Sequence, residues 1–374
     1  MDLDEFKIGI EATSVPPFKV GIESVKEFEL LGYDSVWWFD HIMNWIPESI
    51  WTPDITELAK IVKSPHELYD ASILLAIAAW NTKNIILGTA VTDPFRRSPA
   101  TLAQTFLTLD HLSKGRVILG IGAGIAANLI PYGIQWSKPV SRLEESIEII
   151  RLLWEKGDKV DFNGNFWKLK DAVLGLKPYK RKYPPIWIGA YENRMLEITG
   201  RLGDGWLPVT IDPDSYKEKL KVIKASAKKS GRDPDKITPA LYCLSILDEQ
   251  SEVCHEILNS PLMKIFAFPK TDADFKRYGA THPFGENFNG TRDYIPSRCD
   301  KDYVLNAIDK VPTKMLEDIF LLGTPDEIIS RIEKYAKAGL KHIILCNVTY
   351  LADIQKMKSS QNCMTKVLNY FKSH

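Results

Sequence analysis

The sequence predicts an α/β fold: a (β/α)8 barrel of the TIM type with insertions after strands 2, 4 and 7. Three observations carry that prediction. Eight short apolar runs recur along the chain, helical patterns separate them, and the chain has 374 residues, a length such barrels reach as one unit. The runs are 7–12 (KIGIEA), 35–40 (SVWWFD), 85–91 (IILGTAV), 117–124 (VILGIGAG), 186–191 (IWIGAY), 205–210 (GWLPVT), 239–247 (PALYCLSIL) and 342–348 (HIILCNV). Most are continuously apolar, as strands buried on both faces read. Strands alternating with helices argue for a parallel sheet, and eight fits closure. An open doubly wound sheet is the structural rival.

The segments between the runs carry helix signals. VGIESVKEFELLG spaces its apolar residues three and four apart and stops at Gly32. SRLEESIEIIRLLWEKG runs from Ser141 to Gly157, with Glu144 three residues after the serine, a capping-box pattern. TPDEIISRIEKYAKAG repeats the device with Thr324 as N-cap, Pro325 at the first helical position and Gly339 at the end. Residues 44–63, 158–185 and 260–322 interrupt the alternation. The second of these holds VDFNGNFWKLK, read as a hairpin with an Asn-Gly turn. The third is too apolar for a flexible linker. Residues 1–374 therefore read as one barrel domain with three insertions.

Composition narrows the function. Lys+Arg and Asp+Glu are both 48, so nothing draws the chain toward nucleic acid or a membrane surface. No apolar run approaches the roughly 20 residues of a membrane span. The start, MDLDEFKIGI, lacks a signal-peptide layout, and a cytoplasmic protein is expected. Five scattered cysteines without a CxxC pair read as reduced thiols.

The chemistry is expected at the C-terminal ends of the strands. There stand Asp40-His41 with Trp45 four residues on, GTAVTD at 88–93, GIGAGIAAN at 120–128 and IGAY at 188–191. A histidine, carboxylates, two hydroxyls and small-residue turns converge on one mouth, the layout of a cofactor site. Taken alone, Asp40-His41 also reads as a helix cap beside a surface histidine, and the glycines as a tight strand-to-helix turn. GIGAGIAAN holds GxGxG and not GxGxxG, so a Rossmann site is not expected; no P-loop is present. The remaining histidines show no metal spacing, and no metal is expected. No GxSxG elbow exists.

FDHIMNW (39–45), LGTAVTDPFRRSPATLAQ (87–104), GRVILGIGAGIAAN (115–128) and ITGRLGDGWLP (198–208) resemble the luciferase-like superfamily in its coenzyme F420-dependent branch. The likeness spans nearly the whole chain. NWIPESIWTP and HPFGENFNG extend it into the insertions and, with GRDPDKITPA, bring it nearer the phthiodiolone ketoreductase type than the F420-dependent glucose-6-phosphate dehydrogenase type. The resemblance implies hydride transfer at C5 of the deazaflavin. It implies that Asp40 contacts the cofactor, that His41 handles the proton and that Trp45 lines the reaction centre. Thr92, Ala123, Gly124 and Asn128 would hold the cofactor. Ala90–Val91 would be a cis step supporting its ring, and Gly189, Ala190 and Tyr191 would face its phosphate arm.

Two departures qualify this. Ile125 stands where the glucose-6-phosphate enzymes have an acid, and VTIDPDSYKEKL offers no lysine before Lys217, so glucose 6-phosphate is not the expected substrate. A pocket lined by Trp45, Ile46, Ile50, Trp51, Phe266, Phe268, Phe284 and Phe288 would instead suit a bulky apolar carbonyl or alcohol. The alternative for the same aromatics is packing among themselves. A composition with 35 Lys against 13 Arg is unlike a mycobacterial protein, and an archaeal source is expected. A homodimer is expected. The alternatives in function are an F420-dependent methylenetetrahydromethanopterin reductase, an FMN-dependent monooxygenase, and a barrel that binds cofactor without turnover.

Overall fold

The computed structural model describes residues 6–373; the first residues of the segment bearing on targeting lie outside them. Its strands are β1 (Lys7–Glu11), β2 (Ser35–Trp38), β3 (Ile86–Thr89), β4 (Val117–Ile121), β5 (Val160–Asn163), β6 (Lys168–Ala172), β7 (Ile186–Ile188), β8 (Gly205–Trp206), β9 (Thr238–Leu247), β10 (Leu321–Gly323) and β11 (His342–Asn347). Eight of them pair in parallel in the order β1-β2-β3-β4-β7-β8-β9-β11, and β11 returns to β1. The sheet is a closed barrel, each strand lying within or overlapping one apolar run. β10 adds to the far end of β9, where Leu321 faces Ser245.

Two apolar layers follow from the pleat, because neighbouring side chains of a strand point to opposite faces. In β2, Trp38 packs outward against the helices and Trp37 points into the barrel. There Trp37 stacks on Trp187 at 5.0 Å, with His342 edge-on to both. Glycines make this layer possible. A Cβ at Gly88 would lie 2.3 Å from the Trp37 ring, and one at Gly205 2.4 Å from Trp187. The N-terminal half of the barrel is thus filled, and a ligand must enter from the other end.

The helix Phe18–Leu31 ends at Gly32 with φ 92°, and Pro139–Lys156 ends at Gly157 with φ 69°, left-handed positions that favour glycine. Thr324 and Glu327 form the expected capping box. Ser141 does not cap. Its helix starts at Pro139, so Ser141 lies in the first turn; Glu144 pairs with Arg194 and Arg201 of the next helical layer. Proline at the first position and two arginines outcompete the local signal. The second insertion is a hairpin, but Asn163 faces Lys168, leaving a four-residue loop and not an Asn-Gly turn. The buried Glu145 carboxylate accepts the N–H groups of Asn165, Phe166 and Trp167 and so sets the loop length.

Candidate active site

The C-terminal strand ends surround a cavity of about 870 Å³, within the usual range for ligand sites. Asp40, His41 and Trp45 reach it from the loop after β2, Thr92 and Ala123 from the ends of β3 and β4, and Gly189 from the end of β7.

Asp40 is buried, and its carboxylate is fully engaged. Thr92 Oγ1 donates to it at 2.6 Å, Arg96 at 2.9 Å and Arg97 at 2.6 Å. Burial pushes its pKa up, but the two guanidinium groups and the Thr92 hydroxyl together hold it below the usual carboxylate value. Arg97 also reaches Asp70, the N-cap of the helix Ala71–Asn81, and Arg96 binds Asp93 at 2.5 Å. The resemblance implied cofactor contact for Asp40; the structure ties its oxygens to two arginines that sequence reading missed. The signal was present as the Arg-Arg pair of PFRRSP, a buried positive charge that demands buried carboxylates.

His41 lies across the cavity wall from these charges, edge-on to Trp45 at 5.7 Å. Burial and then Arg96 together lower its pKa to about 4, with Asp40 and Asp93 only partly opposing them. The imidazole is therefore neutral at pH 7. Trp45 is fixed by Tyr294 of the third insertion, which stacks at 6.2 Å and donates its hydroxyl to the Trp45 carbonyl.

The Ala90–Val91 peptide bond is cis, as the resemblance implies. The bulge carries Thr92 over β4, where its N–H donates to the Gly120 carbonyl and its own carbonyl accepts from Gly122. A Cβ at Gly120 would lie 1.7 Å from the Thr89 oxygen, so this glycine makes room for β3 and not for a ligand. Gly124, at φ 74°, does face the cavity, as do Ala123 and Tyr191.

Two expected cofactor residues have surroundings that the sequence did not show. Asn128 lines the cavity, yet its Oδ1 accepts from the N–H groups of Ile42 and Met43 at 2.5 and 2.9 Å, pinning the chain beyond His41. Ala190 is buried in the outer layer and does not line the cavity; the outward pleat at the end of β7 puts it there. Of the four phenylalanines, only Phe266 reaches the cavity. Phe288 stacks on His282, and Phe268 and Phe288 both pack against Phe284, forming the core of the third insertion. That insertion sends polar groups to the cavity instead, among them Lys270, Asp274 and Arg277.

Glu11, at the end of β1, was not anticipated. It lines the cavity beside Tyr242 and Cys346 and accepts a hydrogen bond from the Tyr242 hydroxyl. Burial raises its pKa, outweighing the hydrogen bonds from Cys346 and Tyr242. The last carboxylate of KIGIEA was the available signal, since a charge closing a buried strand at the catalytic end is unlike its neighbours. It supplies an ionisable group in a site where Ile125 has none.

The sequence profile described as luciferase-like monooxygenase matches residues 4–342. The phthiodiolone/phenolphthiodiolone dimycocerosates ketoreductase of Mycobacterium tuberculosis is 36% identical over 337 residues, 89% of this chain and 88% of that one. The 5,10-methylenetetrahydromethanopterin reductase of Archaeoglobus fulgidus is 30% identical over 86% of this chain and 87% of its own. Among solved structures, an F420-dependent secondary alcohol dehydrogenase with an F420–acetone adduct superposes with a TM-score of 0.74 at 24% identity, covering 97% of this chain and 99% of that one. The F420-dependent tetrahydromethanopterin reductase of Methanopyrus kandleri gives 0.76 at 24%, covering 98% and 99%. These two likenesses bear on the fold. The expected archaeal source gains no support, because the relatives at 36% are mycobacterial.

Proposed function

The chain belongs to the luciferase-like monooxygenase family and is an oxidoreductase, and on that premise we propose that it moves a hydride between coenzyme F420 and a carbonyl or secondary-alcohol substrate. The observation carrying this reading is that a neutral imidazole, His41, and a buried carboxyl of raised pKa, Glu11, line one cavity from adjacent parallel strands. The cofactor fits the same cavity: the 90–92 bulge and the backbone at Gly124 and Gly189 leave a surface for a flat ring, with the nearest atoms to a Cβ at Gly189 3.5 Å away. Thr92, Ala123 and Gly124 would hold it, with Tyr191 toward its phosphate arm. Bound there, the deazaflavin supplies or accepts hydride at C5.

The chain's own residues do the rest. Reducing a carbonyl leaves an oxygen that needs a proton, and Glu11, whose carboxyl burial shifts toward the protonated form, is the group we assign to give it. Oxidising an alcohol releases that proton, and neutral His41 can take it. Trp45, held by Tyr294, screens the reaction centre from water. Asp40 positions the loop that carries His41 through its two arginines. The 30% relative named for methylenetetrahydromethanopterin reduction supports a second reading, in which an iminium carbon accepts the hydride and the proton donor matters less.

Titrating the purified protein with F420 and with FMN tests the cofactor. Micromolar affinity for FMN with none for F420 would move the chain to the monooxygenases. A panel of short secondary alcohols, hydrophobic ketones, glucose 6-phosphate and a methylene-pterin then tests the substrate class; activity on the pterin alone would favour the second reading.

A further inference from the structure

The lobes of the cavity under the first and third insertions differ in lining. The first insertion contributes chiefly apolar side chains, among them Trp45, Ile46, Trp51, Leu58 and Val62. The third contributes a mixed set, in which Lys270 stands beside Phe266 and Met315. Among the described residues no carboxylate comes within 4.0 Å of the Lys270 ammonium, and no hydrogen bond uses it. The nearby acids are all taken. Asp274 accepts from the Thr271 N–H and hydroxyl and pairs with Arg277. Asp272 accepts from His282 and Asn287 and pairs with Lys276. Asp318 accepts from Tyr278.

The backbone under Lys270 is held on both sides. Its carbonyl accepts from the Gly290 N–H, and Thr271 bridges to Asn289 in antiparallel fashion. Gly290 has no room for a side chain, since a Cβ would lie 2.1 Å from the Phe268 oxygen. The ammonium is thus presented to the cavity from a rigid base. Burial lowers its pKa, with Asp274 opposing and Arg277 adding. Lys270 is half-buried, and a cation that faces a cavity without a counter-charge is a ready partner for a group of opposite sign.

We propose that Lys270 is the anion-recognising residue of the substrate lobe, so that the substrate of the oxidoreduction carries a carboxylate or phosphate as well as its carbonyl or hydroxyl. This rests on the reading of the cavity as the reaction site. Such a substrate would be amphipathic, with its apolar part under the first insertion and its anionic group under the third. The anionic group is an addition to the mostly apolar substrate that the sequence suggested.

Isothermal titration with inorganic phosphate on the cofactor-free protein, comparing wild type, Lys270→Met and Lys270→Arg, gives the first readout. Phosphate affinity should fall at least about tenfold in Lys270→Met and recover in Lys270→Arg, a tenfold loss being about 1.4 kcal/mol. Equal affinity in wild type and Lys270→Met overturns the proposal. F420 titration on the same proteins separates the two sources of an anion. Unchanged F420 affinity assigns the anion to the substrate, whereas a parallel loss assigns it to the cofactor's own anionic tail and overturns the substrate claim. With F420 bound, 4-oxopentanoate should be reduced in preference to its methyl ester, and Lys270→Met should erase that preference. Phosphate binding lost in Lys270→Met in a protein with no affinity for F420 would uphold the anion site while removing the cofactor reading.

Discussion

His41 and His342 occupy opposite ends of one barrel, and burial lowers the pKa of both, to about 4 and to about 3. Their surroundings differ. His342 is 2% exposed, shares a 2.7 Å hydrogen bond with Ser35 and sits edge-on to Trp37 and Trp187. Its neighbours leave no room for a ligand. His41 lies on the wall of the cavity, touching Trp45 and Phe39. A depressed pKa therefore does not tell a histidine at the cavity from one packed in the core; access to the cavity does. The perturbation reports desolvation, which a packed core and an enclosed reaction site share.

Substituting each histidine tests this contrast most strongly. His41→Ala should slow turnover by about 10²–10⁴-fold, as loss of a proton-handling group does, while changing stability by about 1 kcal/mol or less. Steady-state kinetics beside denaturant unfolding would measure both. His342→Ala should do the reverse, costing about 2–4 kcal/mol through the cavity left between two tryptophans and the lost Ser35 partner, with kcat of the folded protein kept within about twofold. Turnover lost in His342→Ala at unchanged stability would break the comparison.

Acid should act on both ends together. Each imidazole is neutral in the folded chain, whereas in the unfolded chain it protonates near the ordinary value of about 6.5. The stability this neutrality preserves is full above about pH 6.5. It falls as pH drops toward 4 for His41 and toward 3 for His342, because the unfolded state binds the proton first. The slope approaches about 1.4 kcal/mol per pH unit for each group. His342→Gln should remove its share of that slope while leaving the pH dependence of alcohol oxidation to His41. An unchanged slope in urea melts between pH 6 and 4 would show that other groups carry the acid sensitivity.

A smaller effect is expected at the catalytic end alone. Thr92→Val keeps the side-chain shape and removes one hydrogen bond to the Asp40 carboxylate, costing about 1–2 kcal/mol. Arg96 and Arg97 should still hold Asp40 ionised, so the pH profile should not move. A shifted profile would mean that Thr92 acts on the chemistry and not only on the loop.

The barrel was legible because its signals are local. A strand buried on both faces must be apolar throughout, and a left-handed helix end favours glycine, so runs such as SVWWFD and stops such as Gly32 and Gly157 identify themselves. The Asp40-His41-Trp45 set was legible for the same reason, being one short loop at a strand end. What failed was the choice of partner. Ser141 looked like a cap until Pro139 and two distant arginines intervened. Asn128, expected from its strand end at the cavity, does line it, but its Oδ1 is also held by the N–H groups of Ile42 and Met43, 86 and 85 residues earlier, which the sequence did not show. The aromatics of the third insertion looked like pocket lining, yet three turn to one another.

The sequence by itself determined the strands, the helices between them and the end of the barrel where chemistry stands, since each follows from short-range periodicity and steric preference. Tertiary structure decided which side chains meet. Glu11 and His41 lie 30 residues apart in sequence and line one cavity only because β1 and β2 pair in parallel, with Glu11 facing Trp37 in the register. Lys270 faces the cavity without a counter-charge only because Arg277, Lys276 and Tyr278 reach the surrounding carboxylates first. Burial, pKa and the competition for hydrogen-bond partners depend on distances through space, and a linear pattern of residue types does not contain them.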